Sequence, residues 1–219
     1  MEIATSILSV EEENCMQTFH KLDVAHTDYF HIDVMDGKFV ENDTSIIMKQ
    51  YTEYLNQITT LPLDIHLMVE DVESYVKSYL VFNPNNITFH IEATKTKEKT
   101  MEMIKLIKDN GSKVGISICP DTKIEDIYEY LPYIHTVLVM SVKPGKGGQK
   151  LLPETIEKCK NLSEYLRQNN IEVDIEIDGG VNNQNIKQIR KAGVDIAVVG
   201  SYLISKDDYK GAIKELKQQ

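Results

Sequence analysis

His31-Ile-Asp33-Val-Met-Asp36-Gly37 closes an apolar, β-rich run with an imidazole and a carboxylate two residues apart. In a strand, positions i and i+2 point to the same side, so His31 and Asp33 share one face. A second His follows in Asp64-Ile-His66-Leu-Met, and a second Asp in Glu176-Ile-Asp178-Gly-Gly. Each follows an apolar or β-branched run and sits near its C-terminal end.

Working outward, apolar runs alternate with helical patterns along all 219 residues. The expected strands are Ile3–Leu8, Tyr29–Val34, Leu63–Leu67, Ile87–Ile91, Lys113–Ile118, Thr136–Met140, Val173–Ile177 and Ile196–Val199. The expected helices are Val10–Leu22, Ile46–Gln57, Val72–Phe82, Lys97–Asp109, Ile124–Tyr130, Pro153–Gln168, Gln184–Ala192 and Tyr209–Lys217. In Lys97–Asp109, Met101, Ile104 and Ile107 mark an apolar face at helical spacing. Strict alternation of eight strands and eight helices predicts an α/β chain folded as a single (β/α)₈ TIM barrel over residues 1–219. An open doubly wound sheet is the rival. Ser6, His31, Asp33, His66, His90, Met140, Asp178 and Gly200-Ser201 lie at or just past the ends of seven strands. A barrel gathers all those ends at one mouth; an open sheet does not.

Composition narrows the partners. A net charge of −10 argues against nucleic acid. No stretch approaches the roughly 18 apolar residues of a membrane span, and the N-terminal segment does not read as a signal peptide. Cys15, Cys119 and Cys159 are odd in number and lack CxxC spacing, as free thiols in the reducing cytoplasm would be.

His31, Asp33, His66 and Asp178 come from three strand ends and offer two imidazoles and two carboxylates. They can enclose one divalent metal ion, and Zn²⁺, Fe²⁺, Mn²⁺ and Co²⁺ all suit that donor set. Asp33 and Asp178 also face a small substrate from opposite sides. A pair so placed can abstract and return a proton beside a carbonyl, with a cation stabilising the enediolate. Asp36 reads as a turn residue and Asp64 as a support for the metal ligands. Met35, Met68 and Met140 lie near the mouth, as core packing or as a shield for a reactive intermediate. His20, His26 and His135 read as surface or packing residues. Glycines follow three consecutive strands: Gly145-Lys146-Gly147-Gly148, Gly179-Gly180 and Gly200-Ser201. Backbone N–H groups in such loops can approach a phosphate.

These segments together carry a resemblance. Ser6-Ile-Leu-Ser9, His31 to Gly37, Asp64 to Val69, His90-Ile-Glu92, Met140 to Gly145, Gly147-Gly-Gln149, Glu176 to Gly180 and Gly200-Ser201 resemble the ribulose-phosphate 3-epimerase family in order and spacing. The resemblance covers essentially the whole chain. It implies a barrel with one divalent ion held by His31, Asp33, His66 and Asp178, with Asp33 and Asp178 as the acid/base pair. It implies Ser6 and His66 near the sugar, and phosphate held by Gly145 to Gly148, Gly179-Gly180 and Gly200-Ser201. The expected substrate pair is D-ribulose 5-phosphate and D-xylulose 5-phosphate. The same chemistry on a ketohexose phosphate, such as allulose 6-phosphate, is the nearer alternative, and a non-catalytic sugar-phosphate binding protein the more distant one. Barrels of this family commonly associate, so a homo-oligomer is compatible with the resemblance, although no sequence patch carries it. The departures are local: Lys146 where the family usually has Phe, Glu41 where it has Pro, and Tyr202 where it has a small residue. His90 and Glu92 have no role assigned by the sequence.

Overall fold

A computed structural model describes all residues, Met1–Gln219. Eight parallel strands close into a barrel in sequence order: β1 (Glu2–Ser6), β2 (Tyr29–Met35), β3 (Leu63–Met68), β4 (Asn86–His90), β5 (Lys113–Ile118), β6 (Thr136–Met140), β7 (Asp174–Asp178) and β8 (Ile196–Val199). β8 pairs with β1 and completes the ring. The strands are buried on both faces, which is why they read as near-continuous apolar runs.

Outside the barrel lie α1 (Cys15–Val24), α2 (Ser45–Ile58), α3 (Val72–Leu80), α4 (Ile91–Thr94), α5 (Lys97–Asp109), α6 (Glu154–Asn169), α7 (Ile186–Lys191), α8 (Ser201–Ile204) and α9 (Tyr209–Gln218). Several start at side-chain caps: Asp71 accepts from the Ser74 N–H, Thr96 from Lys99 and Asp208 from Gly211. The main core, between strands and helices, includes Phe19, Phe30, Ile65, Val76, Ile107 and Leu162.

The barrel interior is divided. Ala4, Ile196 and Val198 form one apolar group, and Leu138, Met140 and Val142 another. Polar residues occupy the interior of β2, β3, β4 and β7 instead. Register sets Ser6 beside His31, Asp33 beside His66 and Met140 beside Asp178. The polar half and the mouth therefore meet at one place.

Several expectations need adjusting. The first helix begins at Cys15, not Val10, after a 3₁₀ turn at Glu12–Asn14, and Val10 is a buried loop residue. The β5–β6 connection is a 3₁₀ helix, Ile124–Tyr133, not an α-helix. Pro132 lies inside it, lacks an N–H and disfavours α geometry in the residue before it. α4 and α8 are short extra helices that the pattern does not announce. On α5 the buried face is Thr100, Met103, Ile104 and Ile107, whereas Met101 lies half-buried at its edge. No helix is long and apolar enough to cross a membrane, and all three cysteines are free.

Candidate active site

Asp33 is the hub of the mouth. Its Oδ2 accepts from the Ser6 hydroxyl at 2.7 Å. Its Oδ1 lies 3.2 Å from His66 Nδ1 and 3.4 Å from His31 Nε2. Asp178, reaching in from β7, brings Oδ2 to 3.7 Å from the same His66 Nδ1. One donor atom from each of His31, Asp33, His66 and Asp178 fits within 4.8 Å of all the others. The chain thus brings together the four residues expected to share an ion.

The electrostatics follow from burial and neighbours. Burial raises Asp33, but His31 and His66 beside it outweigh that and hold it well below the usual carboxylate range. Burial also raises Asp178, and the nearby Asp33 charge adds to it, against His31, so that Asp178 is pushed up to about 7. His66 is pushed down to about 4 by burial, with His90 and His31 adding to it and Asp33 opposing. It is therefore a neutral imidazole, the form that can donate a lone pair. Burial lowers His31, yet Asp33 and Asp64 reverse this and raise it well above normal. In the ion-free protein a proton on His31 answers the excess negative charge. A cation would answer it equally well.

His31 provides the sharpest test of fit for an ion. Its Nδ1–H donates to Asp64 Oδ2 at 2.5 Å, which leaves Nε2 to face the cluster. That Nε2 is buried and has no hydrogen-bond partner. An orphaned ring nitrogen beside two carboxylates and a neutral imidazole suits a divalent cation of intermediate softness. Asp64 is in turn held by the Asn86 side-chain amide at 2.9 Å.

One cavity at the mouth gathers most of the remaining expected residues. Ser6, Asp33, Asp178, Met35, Met68 and Met140 line it, together with Gly145, Lys146, Gly147, Gly148, Gly179, Gly180, Gly200 and Ser201. The three methionines are each no more than 2% exposed and form its apolar wall. The backbone N–H groups of Gly147, Gly148, Gly180 and Ser201 find no partner within the chain. Gly180 has a packing reason as well: φ is +66°, and a Cβ there would meet the Leu151 nitrogen at 2.4 Å. Lys146 is exposed at the rim and forms no salt bridge. His66, expected near the sugar, is fully buried and lies behind Asp33 rather than on the cavity wall.

Asp36 is a turn residue as expected, accepting from the N–H groups of Lys38, Phe39 and Glu70. His135, outside the site, accepts at Nδ1 from the Val114 N–H.

Sequence reasoning missed Glu176 and the linkage of Ser6 to Asp33. Glu176 is fully buried, with Oε1 3.6 Å from His31 Nδ1, and burial beside Asp64 raises it well above normal. It sits two residues before Asp178 on the same face, so the i, i+2 rule contained the signal. His66 Nε2 also meets His90 Nε2 at 3.0 Å, and His90 Nδ1 lies 3.1 Å from Glu92 Oε2. Burial opposes the ionisation of Glu92, but its bonds to His90, Thr122 and the Cys119 N–H hold it down at about 2.

Comparison with known proteins fits this geometry. The model of the family described as "Ribulose-phosphate 3 epimerase family" matches residues 2–204. Ribulose-phosphate 3-epimerase of Helicobacter pylori strain J99 is 38% identical, covering 99% of this chain and 97% of that protein. The enzyme of that name from Escherichia coli K12 is 34% identical, covering 99% and 95%. Among solved structures, one of KGPDC from Streptococcus mutans superposes with a TM-score of 0.75. It covers 99% of this chain and 95% of its own at 13% identity, a likeness of fold.

Proposed function

The chain belongs to the ribulose-phosphate 3-epimerase family, and from that premise we propose that it inverts C3 of D-ribulose 5-phosphate, giving D-xylulose 5-phosphate, by proton transfer between two aspartates at a metal-dependent site. The observation that carries the reading is the convergence of Asp33 and Asp178 on His66 Nδ1, at 3.2 Å and 3.7 Å, from β2 and β7. Binding alone needs no such opposed pair.

His31, Asp33, His66 and Asp178 would hold the divalent ion, which when bound supplies positive charge against the negative charge that develops on the substrate oxygens. Backbone N–H groups of Gly147, Gly148, Gly180 and Ser201 hold the phosphate. That fixes the sugar along the cavity with its reacting carbon between the carboxyls. Asp33, ionised and steadied by the Ser6 hydroxyl, is set to remove the C3 proton from one face. Asp178, reaching in from β7, is set to deliver one to the other. For the reverse reaction the roles exchange. Met35, Met68 and Met140 keep water from the planar enediolate. Free thiols at Cys15, Cys119 and Cys159 suit a reducing, cytoplasmic setting.

Turnover in deuterated water, with D-ribulose 5-phosphate and added Zn²⁺, Mn²⁺, Fe²⁺ or Co²⁺, tests this. Deuterium should enter C3 of the product. Asp33→Asn and Asp178→Asn should each lower kcat by at least about 10²–10⁴, since each loses a proton carrier and a charged ligand. Retention of the original C3 hydrogen would exclude the two-base route. Faster turnover of allulose 6-phosphate would move the assignment to the hexulose substrate.

A further inference from the structure

His66 has two ring nitrogens and, when neutral, one proton to place. Nδ1 faces Asp33 and Asp178, where a ligand lone pair is needed. The proton then sits on Nε2, which faces His90 Nε2 at 3.0 Å. Two N–H groups cannot point at each other across that distance, so His90 Nε2 must accept. His90 then carries its own proton on Nδ1 and donates it to Glu92 Oε2 at 3.1 Å. Glu92 uses its other oxygen to accept from the Cys119 N–H at 2.8 Å and from the Thr122 hydroxyl. Cys119 Sγ also lies 3.6 Å from His90 Nδ1, but an ionised Glu92 can only accept, so the nearer bond to Glu92 sets the direction of each link.

The rings are also held in plane. His90 packs against His66 with centroids 5.1 Å apart and against Phe39 at 4.8 Å, and both imidazoles are fully buried.

We propose that His90 and Glu92 are positioning residues: Glu92, anchored on Thr122 and the Cys119 backbone, fixes the tautomer of His90, which fixes that of His66 and so aims the His66 Nδ1 lone pair into the ion site. The proposal rests on His66 as a ligand of that site. It explains a pair at the β4 end that the reaction itself does not use. It also decides between two groupings. His90, Glu92 and Cys119 form a donor cluster of their own. An ion there would need the His90 Nδ1 lone pair, which would put an N–H on Nε2 against the His66 N–H. The two groupings cannot both ligate, and the chain runs toward His66.

The test uses the purified full-length protein, Zn²⁺ and Co²⁺ as probes, and competition with a chromophoric chelator. Near-ultraviolet circular dichroism verifies the fold of each variant. Glu92→Gln turns an acceptor into a donor facing His90 Nδ1. His90→Phe keeps the stacked ring and removes the acceptor. Both should weaken Zn²⁺ binding about 10–100-fold and shift the visible bands of the Co²⁺ form. His90→Gln places a carbonyl oxygen where Nε2 was and should stay within about threefold of native, because what His66 needs is an acceptor. Nuclear magnetic resonance of the Zn²⁺-loaded native protein should find the His90 proton on Nδ1 and the His66 proton on Nε2. Native affinity in both Glu92→Gln and His90→Phe, equal loss in His90→Gln and His90→Phe, or a His90 proton on Nε2 would overturn the proposal. A different result marks failure of the functional reading itself: native protein that binds no Zn²⁺, or His66→Ala that binds it as tightly as native. Either removes the basis of this proposal as well.

Discussion

Asp33 and Asp178 start as the same chemical group and end in opposite states. Burial pushes both upward, but Asp33 has His31, His66 and the Ser6 hydroxyl to favour its charge, and Asp178 has the Asp33 charge beside it. Without an ion the two carboxyls are thus driven apart, one held charged and the other favouring its proton. Lys146 is a residue of the opposite kind, exposed at the rim between Gly145 and Gly147 and without a salt bridge. Its charge would counter the net −10 of the chain where the proposed anionic substrate enters. Lys146→Phe should raise KM a few-fold at low ionic strength, converge with native at high salt and leave kcat nearly unchanged. Identical KM values at low salt would show a merely solvated lysine. At this scale, what alternation along one strand dictates was legible: His31 with Asp33, and Asp64 with His66. What depends on neighbouring strands was not. Ser6 reaches Asp33, Glu176 approaches His31 and His90 meets His66 only because the register brings them to one height.

At the scale of elements, the alternation of apolar runs and amphipathic patterns places all eight strands to within about two residues. It does so because each strand is buried on both faces and bounded by polar turns. The β5–β6 connection departs from the expected α-helix although Ile124, Ile127 and Leu131 are spaced as on an α-helix; Pro132, which lacks an N–H and disfavours α geometry before it, stands against one. On β5, Gly115 has a packing task. A Cβ on Gly115 would lie 2.1 Å from Thr88 Oγ1 and 2.9 Å from Thr88 Cβ, inside the barrel. Thr88 is fully buried and β-branched, so it cannot swing away. Gly115→Ala should therefore cost about 1–3 kcal/mol by overpacking, or roughly 2–12 °C in Tm at about 2–4 °C per kcal/mol for a chain of this size. Adding Thr88→Ala should recover part of the loss, since it removes the closer clash and leaves the 2.9 Å contact. An unchanged Tm in Gly115→Ala would mean that the barrel expands at this level without strain.

For the molecule as a whole, the barrel concentrates Asp33, Asp64, Glu176 and Asp178 around two imidazoles in one buried chamber. Without a cation, protons fill the role. His31 is driven well above its normal range, and Asp178 holds a proton up to about pH 7. Those protons must leave before the same atoms can ligate, so ion binding and protonation compete. The sign follows from Asp178. Its folded-state pKa lies above the unfolded carboxylate value, so its contribution to the ion-free fold is complete at low pH and lost as pH rises through about 7. Ion binding runs the other way. Its affinity climbs with pH as these protons are lost, by up to about tenfold per pH unit for each proton displaced. An ion that binds only the folded chain, at a hundredfold excess over its Kd, adds about 2.7 kcal/mol. For a chain of this size that is roughly 5–11 °C in Tm. Thermal unfolding with Zn²⁺ and with chelator, from pH 6 to pH 8, should show a gap between the two curves that widens as pH rises. Asp178→Asn should flatten the dependence, leaving what His31 and Glu176 contribute. A wide gap that does not change with pH would show an ion bound without displacing these protons, and no gap at all would show that the chamber is satisfied by protons alone.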